Sequence, residues 1–215
     1  MRRGAGKVVW ASFGAALALG SSAAVRADDT SAQGCTVRLA SVSPDHVPTF
    51  RSECLWSLPT EWVSAALVDA QQGNKRSSLL KSSDRLPDGR VVNVQKTGWP
   101  FEDRQSTIEI SDEPLPGGGV RRRYWLASEQ APLAEGAVQV RADAGSWEIV
   151  QHPSGTRVVF EMTYEPGGNL PTRIVQTLSP KYIARALEEM RVSAEKLARE
   201  NAELPGVAAG PQPQR

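Results

Sequence analysis

An alternating strand that runs straight into a long amphipathic helix constrains this chain more than any other stretch. Between Thr156 and Glu165, Val158, Phe160, Met162 and Tyr164 fall on one face. Arg157, Glu161, Thr163 and Glu165 fall on the other, with Val159 the exception. A period of two predicts a half-buried antiparallel strand. Gly167 and Gly168 turn the chain, because glycine accepts positive φ at no steric cost. Pro171 suits the first turn of a helix. Beyond it, Ile174, Leu178, Ile183, Leu187, Met190, Ala194 and Leu197 recur at helical spacing, with charges between them. An apolar strand face followed at once by such a helix implies that the helix packs on the sheet, an α+β arrangement.

The rest of the sheet is read from shorter signals. Phe50 to Trp56 is a strand. Leu58 to Val63 opens a helix with Pro59 near its start and Trp62, Ala65, Ala66 and Leu67 on one face; Gly73-Asn74 breaks it. Ser83 to Leu86 and Arg90 to Lys96 form a hairpin about Pro87-Asp88-Gly89, since Asp-Gly is a strong tight-turn signal. Gln105 to Ser111 pairs with Val120 to Ser128 across Glu113 to Gly119. That connection lacks the Gly-Lys-Ser/Thr ending of a phosphate loop and leads into a strand. Ala137 to Ala142 and Ser146 to Gln151 complete the sheet.

The same C-terminal stretch carries a resemblance. The run Val140-Arg141-Ala142, a tryptophan six residues on at Trp147, then T-x-x-x-F-x-x-x-Y-E-P-G-G-x-L-P and the amphipathic helix resembles the START family (steroidogenic acute regulatory protein-related lipid transfer domains). Gly98 to Gln105, G-W-P-F-E-D-R-Q, is similar to the family's W-P-x-x-D-R-D/E motif, with Gln105 where the family usually has an acid. The resemblance covers residues 45 to 200. It implies a helix-grip fold, in which a curved antiparallel sheet wraps the C-terminal helix around a cavity. It also implies a lipid or other hydrophobic small molecule as ligand, bound without catalysis and without a cofactor. START relatives can carry an arginine at the position of Arg141 inside the cavity, paired with a carboxylate. Strand alternation places Val138 and Val140 opposite Arg141, so either Arg141 or the valines look inward. Trp147, Phe160, Met162 and Tyr164 from the sheet, and Ile183, Ala186, Leu187 and Met190 from the helix, are the other candidates for the lining. Trp99 and Trp125 are further aromatic candidates. For each of these residues ordinary core packing is the competing role.

Met1 to Ala27 has the form of a secretory signal peptide. Arg2, Arg3 and Lys7 precede an apolar run of 13 residues, Val8 to Gly20, and Val25-Arg26-Ala27 offers a cleavage site before Asp28. Cleavage would remove four of the 25 basic residues and none of the 24 acids, leaving a net charge of −3. That balance does not suit nucleic acid. The expected product is periplasmic or secreted, with Asp28 to Gly34 loose, a START-like domain over residues 45 to 203 and a disordered tail over 204 to 215. A monomer is expected. In an exported chain the two cysteines, Cys35 and Cys54, read as one disulfide that tethers the N-terminal segment to the sheet.

Little in the sequence points to catalysis. His46 and His152 lie near prolines with no second ligand at metal spacing, so no metal site is expected. No G-x-S-x-G or reactive cysteine motif is present. Glu102-Asp103-Arg104 has the composition of an acid–base cluster, but neighbours on a turn need not converge on one substrate. The resemblance gives this arginine the task of fixing the loop. Arg121-Arg122-Arg123 reads as a charged strand start that blunts a sheet edge, or as a basic patch for transient contact with an anionic membrane surface. Inward-facing acids or histidines would favour the rival reading, a superfamily enzyme of cyclase or hydrolase type. A filled core would favour an interaction module that binds no ligand.

Overall fold

The computed structural model describes residues 30–32, 34–43, 45–71, 77–98, 100–116 and 119–202. The expected signal peptide, the expected C-terminal tail and Trp99 lie outside them. Strands β1 (Thr30–Ala32), β2 (Cys35–Val42) and β3 (Pro48–Trp56) are followed by helix α1 (Thr60–Gln71). Then come β4 (Leu80–Arg85), β5 (Val91–Gln95), β6 (Asp103–Leu115), β7 (Gly119–Leu126), β8 (Ala137–Gln139), β9 (Ala142–His152), β10 (Gly155–Glu165) and helix α2 (Thr172–Ala202). The strands form one 10-stranded sheet in the order β1-β2-β3-β10-β9-β7-β6-β5-β4. Short β8 is the exception: it pairs in parallel with the start of β6. This is the helix-grip architecture expected, with a long helix lying across an antiparallel sheet.

Strand β10 alternates as its sequence predicts. Val158 and Phe160 are buried, while Arg157 pairs with Glu53 and Glu161 with Arg51 on the opposite face. Val159 lies on that outer face and is still 4% exposed. Its cross-strand neighbours are Glu53 and Glu148, each tied to an arginine. The aliphatic stems of such ion pairs cover apolar surface while their charged heads stay in water. The turn into α2 uses Gly167 and Gly168 at φ 69° and 63°. A side chain on Gly167 would also meet the Gln139 carbonyl at 2.2 Å.

Helix α2 runs for 31 residues and continues through Pro180. It packs on α1 and on β1, β2 and β3. That packing makes the core: Val37, Phe50, Cys54 and Trp56 from the sheet meet Val63, Ala66 and Leu67 of α1 and Leu187, Met190 and Ala194 of α2. The buried face of α1 is therefore Val63, Ala66 and Leu67; Trp62 and Ala65 are half-buried at its margin.

Three expectations need correction. The stretch Asp28 to Gly34 is not loose throughout, because Thr30–Ala32 forms β1 and pairs with β2. Cys35 and Cys54 do form a disulfide, but as directly paired residues on the buried face of β2 and β3, so the bond staples two sheet strands. Arg121 to Arg123 do not blunt an edge, because β7 lies between β6 and β9. Arg121 bonds Glu148 and Glu113, Arg123 bonds Glu113, and Arg122 turns inward to Asp112.

Candidate ligand-binding cavity

The first turns of α2 lie off the core, which the helix joins at Ile183 and Ala184. They bridge the open side of the sheet, and a cavity of about 300 Å³ remains beneath them. Antiparallel register fixes which sheet residues face this space. Trp147 and Phe160 are directly paired on β9 and β10, with rings stacked at 4.1 Å. Such cross-strand aromatic pairs stabilise a sheet beyond their buried area. Ile108 of β6 and Met162 of β10 extend this apolar floor, and Ile174, Leu178, Ile183 and Ala186 of α2 form the roof.

One end of the cavity is polar. The C-terminal ends of β5 and β10 and the N-terminal ends of β6 and β9 meet there, bringing Gln95, Tyr164, Arg104 and Asp143 to one row. Tyr164 donates its hydroxyl hydrogen to Gln95 Oε1 at 2.8 Å. Asp143, 5% exposed, accepts a hydrogen bond from the Ser106 hydroxyl at 2.8 Å. Burial pushes its carboxyl up to about 6, against the opposing pull of that hydrogen bond. The Tyr164 hydroxyl is raised mainly by burial and further by the Asp143 charge, while the Arg104 charge acts the other way. Tyr124 is raised well above its usual range, first by burial and then by Asp143. Its ring crosses β9 at Gly145, where a Cβ would stand 2.6 Å from the tyrosine hydroxyl oxygen.

Arg104 is 3% exposed. Its Nη1 donates to the carbonyls of Glu102 and Asp103. Its two acidic neighbours point elsewhere: Glu102 is exposed and Asp103 pairs with Lys81 at the surface. The triplet is therefore no acid–base cluster. Gln105, in place of the family's acid, is fully buried on the opposite face. It donates to the Pro132 carbonyl at 2.9 Å and accepts from the Ala134 N–H at 2.8 Å, so a neutral amide holds the covering loop.

Of the nine residues expected to line a pocket, Trp147, Phe160, Met162, Tyr164, Ile183 and Ala186 do so. Leu187 and Met190 belong instead to the sealed core, because the helix passes from roofing the void to packing on α1 and β3 near residue 187. Arg141 lies outside as well. Its side chain pairs with Glu165 at 3.3 Å in an exposed position, and Val140 is the buried residue of that pair. The chain bends between β8 and β9, and the bend breaks the alternation that would have carried Arg141 inward. Trp125 faces solvent on the outer sheet surface and donates to Glu109. Asp143, Arg104 and Tyr124 were missed as lining residues.

The mouth is closed on one side by a polar latch. Glu189 of α2 accepts from the Ser77 hydroxyl at 2.8 Å and from the Ser78 backbone N–H at 3.2 Å, holding Leu79 and Leu80 against the opening. Neither histidine lines the cavity.

No known family's sequence profile matches the chain. It is similar to an uncharacterised protein of Pseudomonas aeruginosa, at 26% identity over 99 residues, 46% of this chain and 49% of that protein. The chain thus spans about half the length of the curated relative it matches. Among solved structures, a STAR-related lipid transfer protein from Xanthomonas axonopodis superposes with a TM-score of 0.68 at 20% identity, over 77% of this chain and 96% of that one. Human StAR-related lipid transfer protein 5 gives 0.68 at 12% identity, over 79% and 86%. An aromatase/cyclase from Streptomyces sp. R1128 gives 0.51 at 13% identity, over 74% and 100%. With its long helix lying across a single antiparallel sheet, the chain has the helix-grip fold of the START-related lipid transfer domains.

Proposed function

We propose that this chain is an exported START-like carrier. It binds a lipid or similar hydrophobic molecule between sheet and α2, and exchanges it during brief contact with a membrane surface. The observation that carries this is the void itself: about 300 Å³, floored by Ile108, Trp147, Phe160 and Met162 and roofed by the first half of α2. Small-molecule sites have this character, mostly apolar with a few convergent polar groups. A hydrophobic molecule in water gains about 25 cal/mol for each Å² it hides, which gives an exported carrier its physical purpose. The disulfide suits an oxidising compartment. Among the described residues no helix is long and apolar enough to cross a membrane. The void also speaks against an interaction module with a filled core.

The test is Ala186→Trp. Ala186 is in the roof, so an indole there occupies the ligand's space. Filling a pre-existing void costs less than the roughly 1–3 kcal/mol of overpacking a full core. The variant should lose binding of a fluorescent fatty acid or sterol analogue while the melting temperature of the ligand-free protein holds. Unchanged binding would refute the site. Extraction and mass spectrometry of molecules that copurify with the parent would then identify the ligand.

Asp143 favours a second reading, an enzyme of cyclase or hydrolase type. A buried carboxyl near 6 is suited to proton transfer at neutral pH. Incubating the extracted ligand with the parent and with Asp143→Asn separates the two. A product formed by the parent alone would establish catalysis.

A further inference from the structure

At the polar end of the cavity Arg104 has no ion-pair partner among the described residues, although Asp143 lies in the same row. Arg104 lines the void at 3% exposure, and its hydrogen bonds run from Nη1 to two backbone carbonyls. Its Nε has no partner among the described residues. Carbonyl dipoles solvate a guanidinium in part, but they do not neutralise it, and a buried charge without a counter-charge is costly. Asp143 does not serve. Its carboxylate bonds the Ser106 hydroxyl at 2.8 Å, and no ion pair joins it to Arg104 among the described residues. The turn at Gly168 closes over Arg104, since a Cβ there would come within 3.7 Å of Nη2. Nε is sealed from the void, so Nη2, which bonds no carbonyl among the described residues, is the guanidinium nitrogen left to meet a ligand.

We propose that Arg104 is the anion-binding group of this cavity, and that the ligand is a single-chain amphiphile whose carboxylate head pairs with it. This rests on the carrier reading above and narrows it to one ligand class. A carboxylate accepts a charge-assisted hydrogen bond from a guanidinium N–H and neutralises it, which a hydroxyl does not. A volume of about 300 Å³ stands at the lower end of small-molecule sites, which suits one chain. The apolar floor of Ile108, Trp147 and Phe160 then takes the tail.

The experiment is displacement of neutral N-phenyl-1-naphthylamine from the purified protein by dodecanoate and, separately, by dodecan-1-ol. Hydrogen bonds to a charged group add enough that dodecanoate should compete about tenfold or more better than the alcohol. Arg104→Gln should abolish that preference, read as the ratio of the two competitors on the same variant. Arg104→Lys should restore part of it. Lys96, the other cation in the lining, is exposed, so Lys96→Gln should leave the preference intact. Equal competition by acid and alcohol on the parent protein overturns the proposal without needing a variant. Retention of the preference in Arg104→Gln, or its loss in Lys96→Gln, overturns the assignment to Arg104. If the fluorophore does not bind the parent at all, the carrier reading itself fails and this proposal falls with it.

Discussion

Replacing Asp143 by asparagine should stabilise the ligand-free protein at neutral pH. Asp143 is 5% exposed, and its carboxyl is raised from 3.8 to about 6, chiefly by burial. A raised acid holds its proton more tightly in the folded state than in the unfolded one. Its contribution therefore falls as pH rises through the interval from 3.8 to about 6, and the full penalty stands above 6. A shift of about two units corresponds to about 3 kcal/mol. Asparagine keeps a carbonyl that can accept the Ser106 hydroxyl and carries no charge, so it should recover on the order of 1–3 kcal/mol. For a chain of this size that is a rise of roughly 3–10 °C in melting temperature. At pH 4 the aspartate is itself neutral in the fold, and the advantage should vanish. Urea unfolding of both proteins from pH 4 to pH 8 makes the comparison. The difference between them matters more than either curve, because Asp112, Glu53 and Glu188 are lowered by their arginine partners and lose stability on acidification. An asparagine variant less stable than the parent at pH 8, or a difference that does not change with pH, would refute the reasoning.

Other perturbations probe the packing around the cavity. Leu187→Ala empties a fully buried core position. It should cost about 2–5 kcal/mol in urea unfolding, while affinity for the hydrophobic probe stays within about twofold, the reverse of Ala186→Trp. Gly145→Ala would set a methyl group 2.2 Å from the Glu161 carbonyl and 2.6 Å from the Tyr124 hydroxyl. A strand carbonyl cannot yield as a flexible side chain can, so a loss of about 2 kcal/mol or more is expected in a thermal melt.

The strand and helix at the C-terminus were legible because each has an apolar face opposed to a charged one, and their order leaves the helix little choice but to cover the sheet. The cysteine pair was legible for a different reason, since Cys35 and Cys54 are the only two cysteines of the sequence. The start of β6 was not legible in this way. Arg104, Gln105, Ser106, Thr107 and Ile108 are all buried, so no alternation of exposure marks a face. The outer side is covered by a loop some 25 residues away. Thr107 and Gln105 hold that loop through hydrogen bonds to residues 130 to 134, which no local pattern announces. The polar run resembled a turn followed by an ordinary strand, although Arg104, Ser106 and Ile108 share the parity that faces the cavity.

Arg141 and Asp143 show the same limit from the other side. Both share their parity with Trp147, so an unbroken strand would place both inside. The backbone decides between them. The Val140 N–H bonds to the Gln105 carbonyl and the Arg141 N–H to the Glu165 carbonyl, so the chain changes strand partner between these two residues. Alternation restarts at Ala142, and Asp143 is its first inward member. An arginine fixed at the surface by Glu165 and an acid fixed inside by Ser106 leave Arg104, from a different strand, as the buried cation beside Asp143. Which charged groups reach this end follows from where one strand stops and the next begins.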